Sequence, residues 1–318
     1  MLFAKRFDEI DREAERLRKQ PEFLSDGQDR LAALYGGISG CRTDACRDGH
    51  TLEQWRQRGQ LIAEWRKLSP SSITAEMAAA RYPHEHGWAL RGRGMAGTVT
   101  PEGWAGFRAG NAESRRLLET ASAQLKADPG WHQAMLSVAG AEGLERTKFQ
   151  ALYRDAAALH PLYLPIHFHG ATFASPRWGG SIPELGKAVE LAVERTRSRL
   201  KDVAYARLNW ALSTPTMFMD GQADWARMRG AFEQLVDEFP DPWNLNNFAK
   251  FACIAGDHAT VNELSARIGA TAIPEAWFGD PDSYRQCAML AYYNLIGIRA
   301  TPKPLPWGPA PQPAPRAK

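Results

Sequence analysis

The chain has 318 residues, of which 44% are hydrophobic and 24% charged, the balance of a folded chain with one elongated domain or two ordinary ones. Its 39 basic and 36 acidic residues leave a net charge of +3 with the signs mixed along the chain, so a nucleic-acid groove has little support. No run of about 18 apolar residues occurs, so no membrane span is expected. The first twenty residues carry no secretory signal and four cysteines are too few for a disulfide scaffold. Together these point to a cytoplasmic protein.

The opening MLFAKRFDEIDREAERLRKQ places Leu2, Phe3, Phe7, Ile10, Ala14 and Leu17 on one helical face, which predicts an amphipathic first helix. CRTDACRDGH follows, and YPHEHGW at 82–88 reads as a loop. Apolar residues three and four apart predict helices over Gln54–Leu68, Ile73–Ala80, Gly110–Lys126, Trp131–Ala139 and Thr147–Leu159. The same spacing continues through Ile182–Arg199, Asp202–Leu212, Ala223–Phe239, Leu245–Ala255, Ala259–Ile268 and Tyr284–Tyr293. Strand-like alternation is nearest at Thr98–Thr100. Gly/Pro-bearing joints (DPG, HPL, FPDP, GDP) separate the segments.

The stretch HPLYLPIHFHGATFASPRWGGS at 160–181 reads as a joint between helices. Pro161 ends one helix, Pro165 sits in the first turn of the next, and the chain turns at Gly179 and Gly180. Ser181 and Glu184 form a capping box, and Trp178 is expected to plug the joint. A shift of 32 residues aligns Pro129 with Pro161, Trp131 with Tyr163, and Leu117 with Phe149; FPDPWNLNNFAKFA at 239–252 is a looser relative. The expected fold is therefore all-α, with antiparallel helix pairs forming a tetratricopeptide-like α-solenoid. The expected organisation is an N-terminal helical region over 1–98, a repeat region over 99–299 continuous with it, and a proline-rich extended tail over 300–318.

Several chemistries can be weighed against these motifs. Cys41, Cys46 and His50 have the spacing C-x4-C-x3-H and could form half a zinc site completed by His84 or His86, but the spacing is non-standard. His167 and His169 on a helix diverge by about 200 degrees and do not share a metal. Cys253 and Cys287 lie in apolar helices and read as core thiols. RGRGMAG at 91–97 lacks a preceding strand and a G-K-[ST], so a phosphate loop is not expected. No G-x-S-x-G or H-E-x-x-H occurs. No catalytic, cofactor-binding or metal residue is assigned.

The motifs Trp65, Pro70, Ser72 and Ala75, then Trp88, Arg91 and Gly92, then Trp178, Gly179, Gly180 and Ser181 follow one another in an order that resembles an uncharacterised bacterial family known only as a domain of unknown function. The resemblance covers roughly residues 25–200, with Gly87 standing where that family usually has Ala. It implies an α-helical, tetratricopeptide-like fold and no catalytic residue.

Two functions follow as expectations. The first is a non-catalytic helical-repeat protein that binds another protein or peptide on its concave face, as an adaptor or as an immunity protein against a bacterial toxin. Its partner-binding side would combine Trp88, Arg91 and Arg93 with His167, His169 and Arg177, because Trp and Arg anchor partners. The alternative is a metal-dependent or thiol enzyme built on the Cys41/Cys46/His50 loop and the histidine pairs.

Overall fold

The computed structural model describes residues 1–40, 52–92, 94–277 and 279–298. Among the described residues there are fifteen α-helices and no strand beyond one isolated bridge between Phe23 and Asp29. In chain order they are α1 Phe7–Lys19, α2 Arg30–Ser39, α3 Leu52–Leu68, α4 Ile73–Arg91, α5 Pro101–Glu119, α6 Ala123–Lys126, α7 Pro129–Ala141 and α8 Arg146–Leu159. Then follow α9 Leu164–Ala174, α10 Ile182–Leu200, α11 Val203–Ala211, α12 Trp225–Glu238, α13 Pro242–Ile254, α14 His258–Ile268 and α15 Pro281–Leu295. The described chain forms two compact units, one of Met1–Leu24 with Gln28–Phe173, the other of Ser25–Gly27 with Ala174 onwards.

Most helices start where a short polar side chain can accept from an orphan amide. Asp29 accepts from Ala32, Ser72 from Ala75, Thr100 from Gly103, Asp128 from Gly130 and Asp241 from Trp243. The Ser181–Glu184 box is half made: Ser181 Oγ accepts from the Glu184 amide at 3.3 Å, while the Ser181 amide goes to the Ala174 carbonyl. The Glu184 carboxylate takes the Ser181 hydroxyl at 3.1 Å instead. Gly179 closes the preceding turn at φ +77°.

Several expectations change. The helix expected to stop at Ala80 runs on to Arg91 with Pro83 inside it, so the YPHEHGW stretch is helical. Residues 96–98 form a 3-10 turn, and the helix expected from Gly110 begins at Pro101, because the Thr100 hydroxyl and Pro101 supply a cap and a preset first residue. Phe3, expected on the apolar face of the first helix, lies in the turn before α1 and is 50% exposed, and Trp178, expected to plug its joint, is 37% exposed. Cys253 and Cys287 are joined in a disulfide between α13 and α15.

In the first unit, α4 is the central helix, packed against α1, α2, α3, α5, α6 and α7. It meets α5 at unusually close range. A Cβ on Gly110 would lie inside van der Waals contact of the Pro83 carbonyl oxygen, and one on Gly103 would lie 3.0 Å from the Leu90 carbonyl oxygen. The Ser114 hydroxyl donates to the Ala80 carbonyl along the same line. This packing explains why Pro83 does not end α4: the tertiary contact outweighs the lost amide bond.

In the second unit each helix from α10 to α15 packs on its neighbour in chain order. Phe232 stacks on Phe248 at 5.1 Å, with Phe251 beside it at 5.7 Å. Asn246 ties α13 to the segment after α14: its Oδ1 accepts from the indole of buried Trp277 at 3.0 Å and from the Ile273 amide at 3.1 Å.

Changing Gly110 to Ala should force α4 and α5 apart and cost about 1–3 kcal/mol, read as a lower urea midpoint. Replacing Cys287 with Ser should remove the α13–α15 crosslink and cost about 2–4 kcal/mol in non-reducing buffer. Unchanged melting of the non-reduced C287S variant would contradict the crosslink.

Candidate functional site

The last turn of α4 and the first turns of α5 build an aromatic and cationic patch. α4 ends at Gly92, whose φ of 75° turns the chain away. Trp88 and Arg91 lie three apart and share one helix face. The Arg91 guanidinium lies over two indoles, 5.3 Å from the Trp88 ring centre and 5.0 Å from that of Trp104. Buried Phe107 supports both rings from below, edge-on at 4.7 Å to Trp88 and 5.7 Å to Trp104. Arg91 Nη1 donates to the carbonyls of Gly92 at 3.0 Å and Gly94 at 3.1 Å, which holds the fork in place. Burial draws the Arg91 pKa below its usual value. Trp88, Arg91 and Trp104 each keep part of their surface, while neighbouring Leu90 and Met95 are 37% and 55% exposed.

The residues expected on the partner-binding side separate in the structure. Trp88 and Arg91 come together in this patch, and Trp104 joins them. Arg93 lies outside the described residues. His167 is fully buried in α9 and is a core side chain rather than a contact residue: its Nε2 donates to the Pro161 carbonyl at 2.8 Å, leaving Nδ1 to accept from the Tyr153 hydroxyl at 3.0 Å. His169 keeps some accessible surface but lies among Arg81, His84 and Glu85; burial first, then His84 and Arg81, push it down to about 4 against the opposing Glu85 carboxylate. Arg177 is exposed in the 3-10 turn Pro176–Trp178 of the second unit.

The two histidines of YPHEHGW part company on the helix. His86 stacks between Trp55 at 5.4 Å and Tyr82 at 5.6 Å, facing α3. His84 turns toward α5 and α7, where its Nδ1 meets Asn111 Oδ1 at 2.6 Å and its Nε2 meets Ser137 Oγ at 2.7 Å. Burial lowers the His84 pKa. Among the described residues no cluster of three or more His, Cys, Asp or Glu side chains is placed to hold a metal ion. Cys41, Cys46 and His50 lie outside the described residues.

Trp104 and the Ser137–His84–Asn111 contact were not singled out by the sequence reading. Trp104 had a signal, since Thr100-Pro101 announces a helix start three residues before it. The contact had none, because its members stand 27 and 53 residues apart. No protein-family model matches the chain, and no curated protein or solved structure matches it. The family resemblance rests on its motifs alone.

His169 sets a pH dependence. Its folded pKa of about 4 lies below the ordinary 6.5, so between those values the unfolded chain binds the extra proton and stability falls as pH drops. Asp29, pushed up to about 6 by burial, opposes this at the acid end. The fall in melting temperature between pH 7 and pH 4.5 should therefore be shallower in His169→Gln than in the native protein.

Proposed function

We propose that the protein binds another protein through the Trp88–Arg91–Trp104 patch, in the manner of an adaptor or immunity protein built from tetratricopeptide-like helix pairs. The observation that carries this reading is Arg91 held between two part-exposed indoles, with Leu90 and Met95 exposed beside it. Trp and Arg dominate the energetic centres of protein interfaces, and Leu and Met supply adaptable apolar contact. A cation fixed against ring faces also loses little side-chain freedom on binding. The partner surface that fits presents a carboxylate flanked by apolar side chains. The chain-order packing of α10 to α15 supports the repeat reading.

The test is capture of partners by the tagged full-length protein, compared with Arg91→Ala and Trp104→Ala. Each truncation should weaken the complex by about 2 kcal/mol, roughly thirtyfold in affinity, with little change in melting temperature. A toxin as the single stoichiometric partner would select the immunity role. Undiminished capture of that partner by both variants would remove the patch from the reading.

A further inference from the structure

The Ser137–His84–Asn111 contact has an order that a simple tie between helices does not require. An amide oxygen can only accept, so Asn111 Oδ1 fixes the proton of His84 on Nδ1. Nε2 is then the bare nitrogen, and the Ser137 hydroxyl donates to it at 2.7 Å. These are the roles of nucleophile, base and orienting residue, assembled from α7, α4 and α5.

Ser137 also departs from the habit of hydroxyl side chains inside helices, which bond the carbonyl one turn back. In this protein Ser39 donates to Tyr35 and Thr196 to Ala192, while Ser114 bonds across to the Ala80 carbonyl. The Ser137 hydroxyl turns to His84 instead. Helices α4 and α5 are already joined by the glycine contacts and by Ser114, so the His84–Asn111 bond is not needed as a tie between those two helices. His84 is 6% exposed and Asn111 2%, whereas Ser137 is only partly buried, so the serine is the most exposed member of the three. Arg81, one turn before His84 on α4, is buried and pairs through Nη2 with Glu85 at 3.1 Å, while its Nη1 has no hydrogen-bond partner. Its charge acts on both His84 and His169.

We propose that Ser137 is the nucleophile of an acyl-transfer site in which His84 is the general base and Asn111 the positioning residue, acting on small esters. The attack forms a bond from Ser137 Oγ to the ester carbonyl carbon, and the hydroxyl proton passes to His84 Nε2. Collapse of the tetrahedral intermediate breaks the bond to the leaving alcohol, which takes the proton from Nε2. Water then attacks the acyl-serine and gives its proton to Nε2. Ser137 recovers that proton as the carboxylic acid leaves. The restriction to small acyl groups follows from burial, since even the serine, the most exposed member of the relay, is partly buried. This proposal rests on different residues from the partner-binding patch and stands or falls separately from it.

The experiment is labelling of the full-length protein with a fluorophosphonate probe, located by peptide mass, alongside hydrolysis of p-nitrophenyl acetate. A single adduct on Ser137 is expected, with none in Ser137→Ala, a variant expected to melt close to the native protein. The labelling rate should fall at least tenfold in His84→Gln. It should fall in Asn111→Ala and recover in Asn111→Asp, which keeps the acceptor. In the native protein the rate should rise with pH through one ionisation that His84→Gln removes. Three results would each overturn the proposal: folded native protein that takes no adduct at Ser137, a rate unchanged in His84→Gln, or ester hydrolysis that persists in Ser137→Ala.

Discussion

The close approach of α4 and α5 is the contact on which the first unit and its candidate sites depend. Two helices whose facing side chains are Leu or Phe stand 8–10 Å apart, whereas glycine lets backbones meet directly. Gly103 and Gly110 face the carbonyls of Leu90 and Pro83, so they set the separation near both ends of the contact. Everything functional read from this unit then follows from register. Trp88 meets Phe107, Arg91 meets Trp104 and His84 meets Asn111, three pairs taken in order along the same two helices. The geometry is stiff because backbone, which cannot change rotamer, makes the contact.

A second buried network holds the layer around α4. The Asp128 carboxylate caps α7 through the Gly130 amide at 2.7 Å and also accepts from Arg18 Nε at 2.7 Å and the Tyr35 hydroxyl at 2.5 Å. Arg18 reaches on to Thr74 Oγ1 at 2.9 Å. One carboxylate thus brings together α1, α2, α4 and α7. Burial, with Asp128 beside it, raises the Tyr35 hydroxyl well above its usual pKa, so it remains a donor at any physiological pH. A buried charge is costly unless its bonds are complete. Here the carboxylate has three donors, which makes the network a device for specifying one arrangement of four helices. The second unit applies the same logic to a cation. Lys250 donates to Asn247 Oδ1 at 2.7 Å and lies 4.9 Å from the Phe251 ring centre; burial brings it down to about 8.

The helical class and most joints were legible in the sequence because period and caps are local properties. Ser181 with Glu184 marks a helix start that the structure keeps, and the DPG and FPDP joints hold as breaks, although the helices after them begin at Pro129 and Pro242 rather than at Trp131 and Leu245. What was illegible required knowledge of a neighbour. Pro83 reads as a stop, and only the packing of α5 against its turn lets α4 continue. Arg30–Ser39 carries two glycines that weaken its helical pattern, although Asp29 stands ready as its cap. Cys253 and Cys287 each sit in an apolar helix and read as core residues, since periodicity says nothing about which helix lies opposite. Among the site residues, Trp88 and Arg91 share a turn and could be paired by spacing. His167 could not be told from a surface histidine, because its bonds to Tyr153 and Pro161 form only when α9 folds back on α8.

Patch and relay lie one helical turn apart on α4, and Trp88 links them: its ring meets His84 edge-on at 6.3 Å and Phe107 at 4.7 Å. The Trp88 ring therefore walls one side of His84. The two sites need not share a ligand for this to matter. Any shift of Trp88 must be taken up either by His84, whose two nitrogens are both bonded, or by Phe107, which the α4–α5 contact holds. Both neighbours are held by the fold, so the rings and the cation of the patch have fixed positions.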